Sequence, residues 1–167
     1  MVDLNRDPRT DRGERITYTS SDAFEFTQIL DQSAQPQEIF GDLELPEGAT
    51  HGDGPFPCVV MCHGSYGWRS HHLDYADMFH GMGIATFRPH SFEARGTREV
   101  STTQVEVTMA MMIADAYAAL KLLAAHPKID GTRVAIAGWS LGGGMAAYLL
   151  VAALWPLDVL VPSVCVA

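Results

Sequence analysis

Residues 138–142 spell Gly-Trp-Ser-Leu-Gly, and this pentapeptide constrains the fold of the chain more than any other segment. The apolar run 134–137 precedes it and is typical of a buried strand, while the small residues from Gly143 onward favour a helix. A glycine on each side of Ser140 permits a sharp backbone turn and a close approach of strand and helix. The pattern therefore predicts a strand, a tight turn with Ser140 at its apex, and a helix.

The composition is that of one globular domain. The 167 residues, 47% of them hydrophobic and 19% charged, are enough to bury a sizeable core. Twenty acidic residues against 11 Lys and Arg leave a net charge of −9 without a basic stripe. We therefore expect neither nucleic acid nor an anionic membrane as a partner. Residues 1–14 are predicted to be a charged leader, and residues 15–167 a single domain.

Cellular location is read from two features of the sequence. The N-terminal residues are polar and charged, without the apolar core of a secretory signal, and no apolar run is long enough to span a bilayer. The three cysteines, Cys58, Cys62 and Cys165, lie in apolar runs, which predicts buried, reduced thiols. We expect a cytoplasmic protein.

Apolar runs and helical patterns alternate along the chain, which predicts a mostly parallel sheet flanked by helices, an α/β fold with right-handed crossovers. Residues 58–62 are continuously apolar, as in a central strand that is covered on both faces. The predicted strands are 15–19, 39–45, 58–62, 83–87, 134–138 and 157–167. The predicted helices are 22–30, 70–81, 103–125 and 142–154.

The predicted turn at Ser140 has the features of the nucleophile elbow of serine hydrolases. A serine hydroxyl needs exposure, a nearby base, and donors for the oxyanion that forms during acyl transfer. The backbone N–H of Leu141, at the predicted helix start, is one such donor. The glycine-rich loop 63–67 leaves the carboxyl end of a central strand, so the N–H of Ser65 or of Tyr66 is predicted to be the second.

Four ring-bearing residues at the same sheet edge are predicted to line the substrate pocket, on topology alone: His63, Trp68, His90 and Trp139. His63 has two interpretations, a brace that holds its loop by hydrogen bonds or a general base, and the brace is favoured. Arg95 either pins its loop or binds a carboxylate, and pinning is favoured. The chain shows no spacing of metal ligands.

As a set, in order and spacing, several segments resemble the dienelactone hydrolase-like branch of the α/β-hydrolase family. This resemblance implies an α/β-hydrolase-like domain, with Ser140 as nucleophile, that hydrolyses small-molecule esters or lactones without a metal or other cofactor. The matching residues are 57–64, 83–87, 91–92, 95–96, 115, 119–120, 126–130 and 133–143.

The chain also departs from the family pattern. The namesake enzymes use a cysteine nucleophile and an acidic motif after the central strand, whereas this chain has Ser140 and His63-Gly64, which favours carboxylesterase-like members. Relatives place the catalytic acid and histidine on later strands. After Ser140 this chain has no histidine and one carboxylate, Asp158, so the resemblance implies a C-terminally truncated fold.

Two functions remain open. The first is a serine hydrolase that forms an acyl-enzyme on Ser140, with base and acid supplied from outside residues 1–167. In that case the chain is either a fragment of a longer enzyme or one part of an enzyme completed by another polypeptide. An in-chain histidine as substitute base is a variant of it. The second is a non-catalytic, truncated binding or assembly protein, because an open sheet edge favours self-association as a homo-oligomer.

Overall fold

The computed structural model describes residues 12–47 and 52–153. The strands are β1 (Glu14–Ser21), β2 (Pro36–Glu44), β3 (Phe56–Cys62), β4 (Ala85–Pro89) and β5 (Ile129–Gly138). The helices are α1 (Phe26–Leu30), α2 (Ser70–Gly81), α3 (Met109–Ala124) and α4 (Leu141–Ala153), with a 3₁₀ turn at Glu93–Arg95.

The described strands form one mixed sheet in the order β1-β2-β4-β3-β5. Strand β2 is antiparallel to both β1 and β4, whereas β3 is parallel to both β4 and β5. Every described strand except β2 therefore runs in the same direction. The predicted α/β sheet flanked by helices is confirmed, and the carboxyl ends of β3, β4 and β5 meet at one edge.

Helices cover both faces of the sheet, as the continuous apolar run in β3 predicts. Alternate side chains of a strand point to opposite faces. Cys58, Val60 and Cys62 lie in the core beneath α3 and α4, whereas Val59 and Met61 pack with α2. Both described cysteines are buried free thiols, as predicted.

Helix α3 begins six residues later than the apolar periodicity predicts. Thr108 is its N-cap, with extended backbone, and its hydroxyl accepts a hydrogen bond from the N–H of Met111 at 3.2 Å. A threonine N-cap favours a helix start at this position because its hydroxyl accepts a hydrogen bond from one of the N–H groups that the first turn leaves unpaired.

Helix α1 also begins later than predicted. Its first residue is Phe26, not residue 22, and Glu25 is its N-cap. The Asp22 carboxylate accepts a hydrogen bond from Arg95 at 2.8 Å. Asp22 thus takes part in a long-range ion pair, which sequence spacing alone does not reveal.

Two predictions fall wholly or mainly on residues outside the described ranges: the final strand at 157–167 and the leader at 1–14. At the described end of the leader segment, Arg12 forms an ion pair with Glu44 at 2.7 Å, and its carbonyl accepts a bond from Arg88. Within residues 12–47 and 52–153, no helix combines the length and apolarity that crossing a bilayer requires.

Candidate active site

Ser140 occupies a sharp turn between β5 and α4. Its backbone has φ +55°, in the left-handed region, and its side chain is exposed. A non-glycine residue at positive φ is uncommon and carries backbone strain. The N–H of the preceding Trp139 donates to the carbonyl of Cys62 at 3.1 Å, which ties the turn to the end of β3.

The two glycines of the pentapeptide allow backbones to come closer than any side chain would permit. A Cβ on Gly138 would lie 2.1 Å from the carbonyl oxygen of Gly142. A Cβ on Gly142 would lie 2.2 Å from the carbonyl oxygen of Cys62. Helix α4 therefore begins directly against the end of β3.

The loop after β3 is a tight turn that lies against Ser140. The N–H of Gly67 donates to the carbonyl of Gly64 at 3.0 Å, which makes Ser65 and Tyr66 the central residues of the turn. A Cβ on Gly64 would lie only 3.7 Å from Ser140 Oγ. The absence of a side chain at Gly64 thus keeps the space next to the serine hydroxyl open.

Three backbone N–H groups around this space have no acceptor within the part of the chain that the structure describes: those of Leu141, Ser65 and Tyr66. Leu141 is the first residue of α4, so its N–H has no partner inside the helix. Helix N-termini and turns with free N–H groups favour a negatively charged oxygen.

The ring of His63 supports the turn through a hydrogen bond and ring contacts. Its ring is buried, with Nδ1 2.9 Å from the carbonyl of Gly64, and it packs edge-on against Trp68 and Phe92. Burial lowers the pKa of His63, so the ring is neutral. Because a carbonyl only accepts, Nδ1 carries the proton and donates it to Gly64. The ring is enclosed, whereas the hydroxyl of Ser140 faces solvent.

His90 and Trp68 are also enclosed. His90 Nε2 lies 2.8 Å from Asp42 Oδ2, and Nδ1 lies 3.5 Å from a carboxylate oxygen of Glu93. Burial opposes the charged form of His90, but the hydrogen bond that His90 donates to Asp42 and the nearby Glu93 carboxylate outweigh burial and raise the pKa of His90. Trp68 Nε1 donates to the carbonyl of Pro89 at 3.2 Å. These rings support the sheet edge from within.

Trp139 is the one predicted pocket residue of the four that is only partly buried. Its ring contacts His72 and the exposed Tyr75, with centroids 5.0 and 5.2 Å away. His72 is buried, and its Nδ1 accepts the N–H of Arg69 at 2.9 Å. The residue that precedes Ser140 therefore packs against aromatic rings of α2.

Among the described residues, no histidine ring nitrogen is hydrogen-bonded to Ser140, and His63 Nε2 is buried without a hydrogen-bond partner. His63, His72 and His90 use ring nitrogens as given above, and the half-buried His80 bonds to Thr86 at 3.0 Å. In the same ranges, no group of three or more His, Cys, Asp or Glu side chains is arranged to hold a metal ion.

Arg95 pins its loop, as favoured from the sequence. Its guanidinium donates to both carboxylate oxygens of Asp115, at 2.8 and 3.1 Å, and to the carbonyl of Ser91 at 3.0 Å. A further bond goes to Asp22. These hydrogen bonds hold the side chain of Arg95 in place.

The sequence does not reveal a contact made by Val100. Its backbone N–H donates to the carbonyl of Ser65 at 2.8 Å, across the turn that lies against Ser140. A main-chain donor has no sequence signature, because every residue except proline carries one.

Comparison with known proteins identifies the family. Residues 45–158, more than half of the chain, match the model of the dienelactone hydrolase family. None of the curated proteins matches the sequence.

Solved structures show the same fold. A thermostable esterase from Pseudomonas putida ECU1011 is 23% identical with a TM-score of 0.61, and the match covers 98% of this chain and 43% of that one. A dienelactone hydrolase-like promiscuous phosphotriesterase from metagenomic libraries is 21% identical with a TM-score of 0.52, covering 80% and 52%. Est1E from Butyrivibrio proteoclasticus is 18% identical with a TM-score of 0.52, covering 71% and 42%.

This chain therefore spans about half or less of the length of these structures. The segment that carries the strand, the turn at Ser140 and the helix lies inside the region matched by the family model. The chain belongs to the dienelactone hydrolase family.

Proposed function

We propose that this chain carries the nucleophile of a serine hydrolase that acts on small carboxylic esters or lactones. One observation carries the proposal: the exposed, left-handed Ser140 stands beside backbone N–H groups that have no acceptor in the described ranges. Strain at a single residue next to unpaired donors is characteristic of functional sites. Membership of the dienelactone hydrolase family supports the same chemistry.

In the proposed reaction, Ser140 Oγ attacks the acyl carbon and its proton passes to a general base. The carbonyl oxygen becomes an oxyanion, which accepts hydrogen bonds from the N–H of Leu141 and of Ser65 or Tyr66. The alcohol departs with the proton from the base and leaves an acyl-enzyme. Water then attacks the acyl carbon and releases the acid. With a lactone, the departing alcohol stays attached, and the product is a hydroxy acid.

The base and its orienting acid are proposed to come from outside this chain. The contacts of the buried histidines support this, because each ring is held by partners other than Ser140. The proposed pocket has Trp139 as its partly exposed wall, with His63, Trp68 and His90 supporting it from within.

A serine-directed fluorophosphonate tests the role of Ser140. We expect the chain to be labelled, Ser140→Ala to be unlabelled, and Ser101→Ala, which alters another exposed serine, to be labelled like the parent. Turnover of an ester such as phenyl acetate is expected to stay low without the external base, because a triad lacking members retains only about 10³–10⁴-fold catalysis over water. Equal labelling of the parent and of Ser140→Ala would refute the proposal.

A non-catalytic assembly role is the second candidate, and the position of β5 favours it. In the described part of the sheet, β5 is the last strand, so its outer edge has no neighbour there. Unpaired edges template association with another chain. Sedimentation velocity over a concentration series tests this candidate: dimers or larger species support it, and a monomer at all concentrations contradicts it.

A further inference from the structure

The turn that lies against Ser140 is held in place through its carbonyl groups. The carbonyl of Gly64 accepts from His63 Nδ1 at 2.9 Å and from the N–H of Gly67 at 3.0 Å. The carbonyl of Ser65 accepts from the N–H of Val100 at 2.8 Å. The carbonyl of the Gly64–Ser65 peptide unit is thus bonded by His63 and by the turn itself, and that of the Ser65–Tyr66 unit is bonded by the loop that follows β4.

The orientation of these carbonyls decides where the neighbouring N–H groups point. In a trans peptide unit, the C=O of one residue and the N–H of the next point in opposite directions. The single cis bond in the described ranges is Gly54-Pro55, outside this turn. The N–H of Ser65 therefore points away from His63, and that of Tyr66 points away from Val100.

Val100 is well placed to act as a fixed support. Its side chain is buried in the main core, so its backbone cannot shift without disturbing the packing there. The same loop also touches Gly67, where a Cβ would lie 3.0 Å from the carbonyl oxygen of Arg98. Phe92 adds a ring contact with His63, at a centroid distance of 4.3 Å.

We infer that Val100 and His63 are positioning residues for the oxyanion site, which hold the Ser65 and Tyr66 peptide units so that their N–H groups face the acyl oxygen before substrate binds. The inference rests on the proposed function of Ser140. According to this inference, the loop after β4 positions the turn. The N–H of Val100 holds the carbonyl of Ser65, and this orients the N–H of Tyr66 in the same peptide unit. Preorganised donors of this kind stabilise the transition state more than the bound substrate.

Two matched pairs of variants test the inference by fluorophosphonate labelling of Ser140, with the reversible affinity KI separated from the rate constant kinact. Val100→Pro removes the N–H, whereas Val100→Ala keeps it. His63→Leu removes the ring donor, whereas His63→Asn offers an amide N–H in a side chain of nearly the same shape.

We expect Val100→Pro and His63→Leu to lower kinact at least about tenfold, since loss of one oxyanion donor costs roughly 10²–10³ in rate. KI is expected to change less than about twofold, because ground-state binding does not depend on these donors. Val100→Ala and His63→Asn are expected to retain most of the parental kinact. If these residues were merely structural, Val100→Pro and His63→Leu would instead lose thermal stability. The molecules that remain folded would then be labelled at the parental rate.

Equal kinact values within each pair would overturn the inference. If Val100→Pro does not fold, as judged by circular dichroism, the His63 pair decides. If the parent is not labelled at all, the proposed function fails, and amide hydrogen exchange still tests the geometry. Protection of the Val100 amide with fast exchange at Ser65 and Tyr66 supports the inference, and fast exchange at Val100 overturns it.

Discussion

At the scale of single residues, the histidines show how environment decides the role of one residue type. His72 is buried among rings and accepts an N–H at Nδ1, and burial, together with nearby His71 and His63, lowers the pKa of His72 to about 3. His90 is equally enclosed but lies between two carboxylates, which raise its pKa above the ordinary value. The sequence around each residue does not distinguish them.

His72 is predicted to make the fold acid-sensitive. Its pKa in the unfolded chain is about 6.5, so below that pH the unfolded state binds a proton that the folded state refuses down to about pH 3. Stability should therefore fall as pH drops from about 6.5 towards 3. Urea unfolding of His72→Gln should show a weaker pH dependence over this window than the parent.

The exposed neighbour His71 provides the control for this prediction. We expect His71→Gln to keep most of the parental pH dependence, because removing the adjacent charge relieves only part of the effect on His72. His90 acts in the opposite sense: its raised pKa contributes stability below its unfolded value that is lost as pH rises through the folded value. An unchanged pH profile in His72→Gln would contradict the assignment.

At the scale of secondary-structure elements, the strand β5, the turn and helix α4 act as one unit. Their close approach to β3 depends on the missing side chains of Gly138 and Gly142. The strand–turn–helix order follows from the pentapeptide and the apolar run before it. The contact with the end of β3 does not, because those residues lie about 80 positions away in the sequence.

We predict that Gly142→Ala lowers the free energy of unfolding by roughly 1–3 kcal/mol, the usual cost of overpacking a close contact. The new methyl group would lie 2.2 Å from the Cys62 carbonyl oxygen, and backbone cannot yield as a flexible side chain does. Labelling at Ser140 should fall as well, because the turn shifts with the helix. Chemical denaturation and fluorophosphonate labelling measure the two effects.

Gly144→Ala is the matched control, since it changes glycine to alanine two residues further along α4. The nearest atom to a Cβ there is Met109 Cε at 3.5 Å, which is ordinary contact. Alanine should stabilise the helix by about 0.5–1 kcal/mol relative to glycine. If both variants lose the same stability, the close approach at Gly142 is not the cause.

At the scale of the whole molecule, the buried side chain of Arg95 connects three distant segments through two ion pairs. Arg95, in the loop after β4, bonds to Asp115 on α3 and to Asp22 after β1. The hydroxyl of Ser20 also donates to Asp115. Burial opposes the charge on Arg95, but its hydrogen bonds to Asp115 and Asp22 raise its pKa. The loop that carries Val100 is thereby anchored to α3 and to the end of β1.

Arg95→Met is predicted to destabilise the fold by about 3–5 kcal/mol, because it leaves the fully buried Asp115 carboxylate without its cation. The double variant Arg95→Met/Asp115→Leu should be less destabilised than Arg95→Met, since it removes both charges and restores apolar packing. Urea unfolding of the parent, both single variants and the double variant completes the cycle. A double variant less stable than Arg95→Met would contradict this account.

Much of the fold could be predicted from local patterns. The pentapeptide, the apolar run of β3 and the periodicity of α3 are each contained within a few turns or one strand, so burial and backbone preferences determine them locally. The family resemblance, resting on the same segments, is confirmed. The roles of Ser140, Leu141, Ser65 and Tyr66 stay predictions.

Only the tertiary structure decided which side chains are enclosed and which donors meet across the chain. His63, Trp68 and His90 lie at the same sheet edge as Trp139, yet their rings are buried in the protein interior. The sequence does not show this, because burial depends on how the loops fold over that edge. The bond from Val100 to Ser65 joins two loops by main-chain atoms. The amino-acid sequence thus determined the strand, the turn and the helix around Ser140, since those forces act between neighbours. The surroundings of the hydroxyl depend on contacts between distant segments, which exist only after the chain has folded.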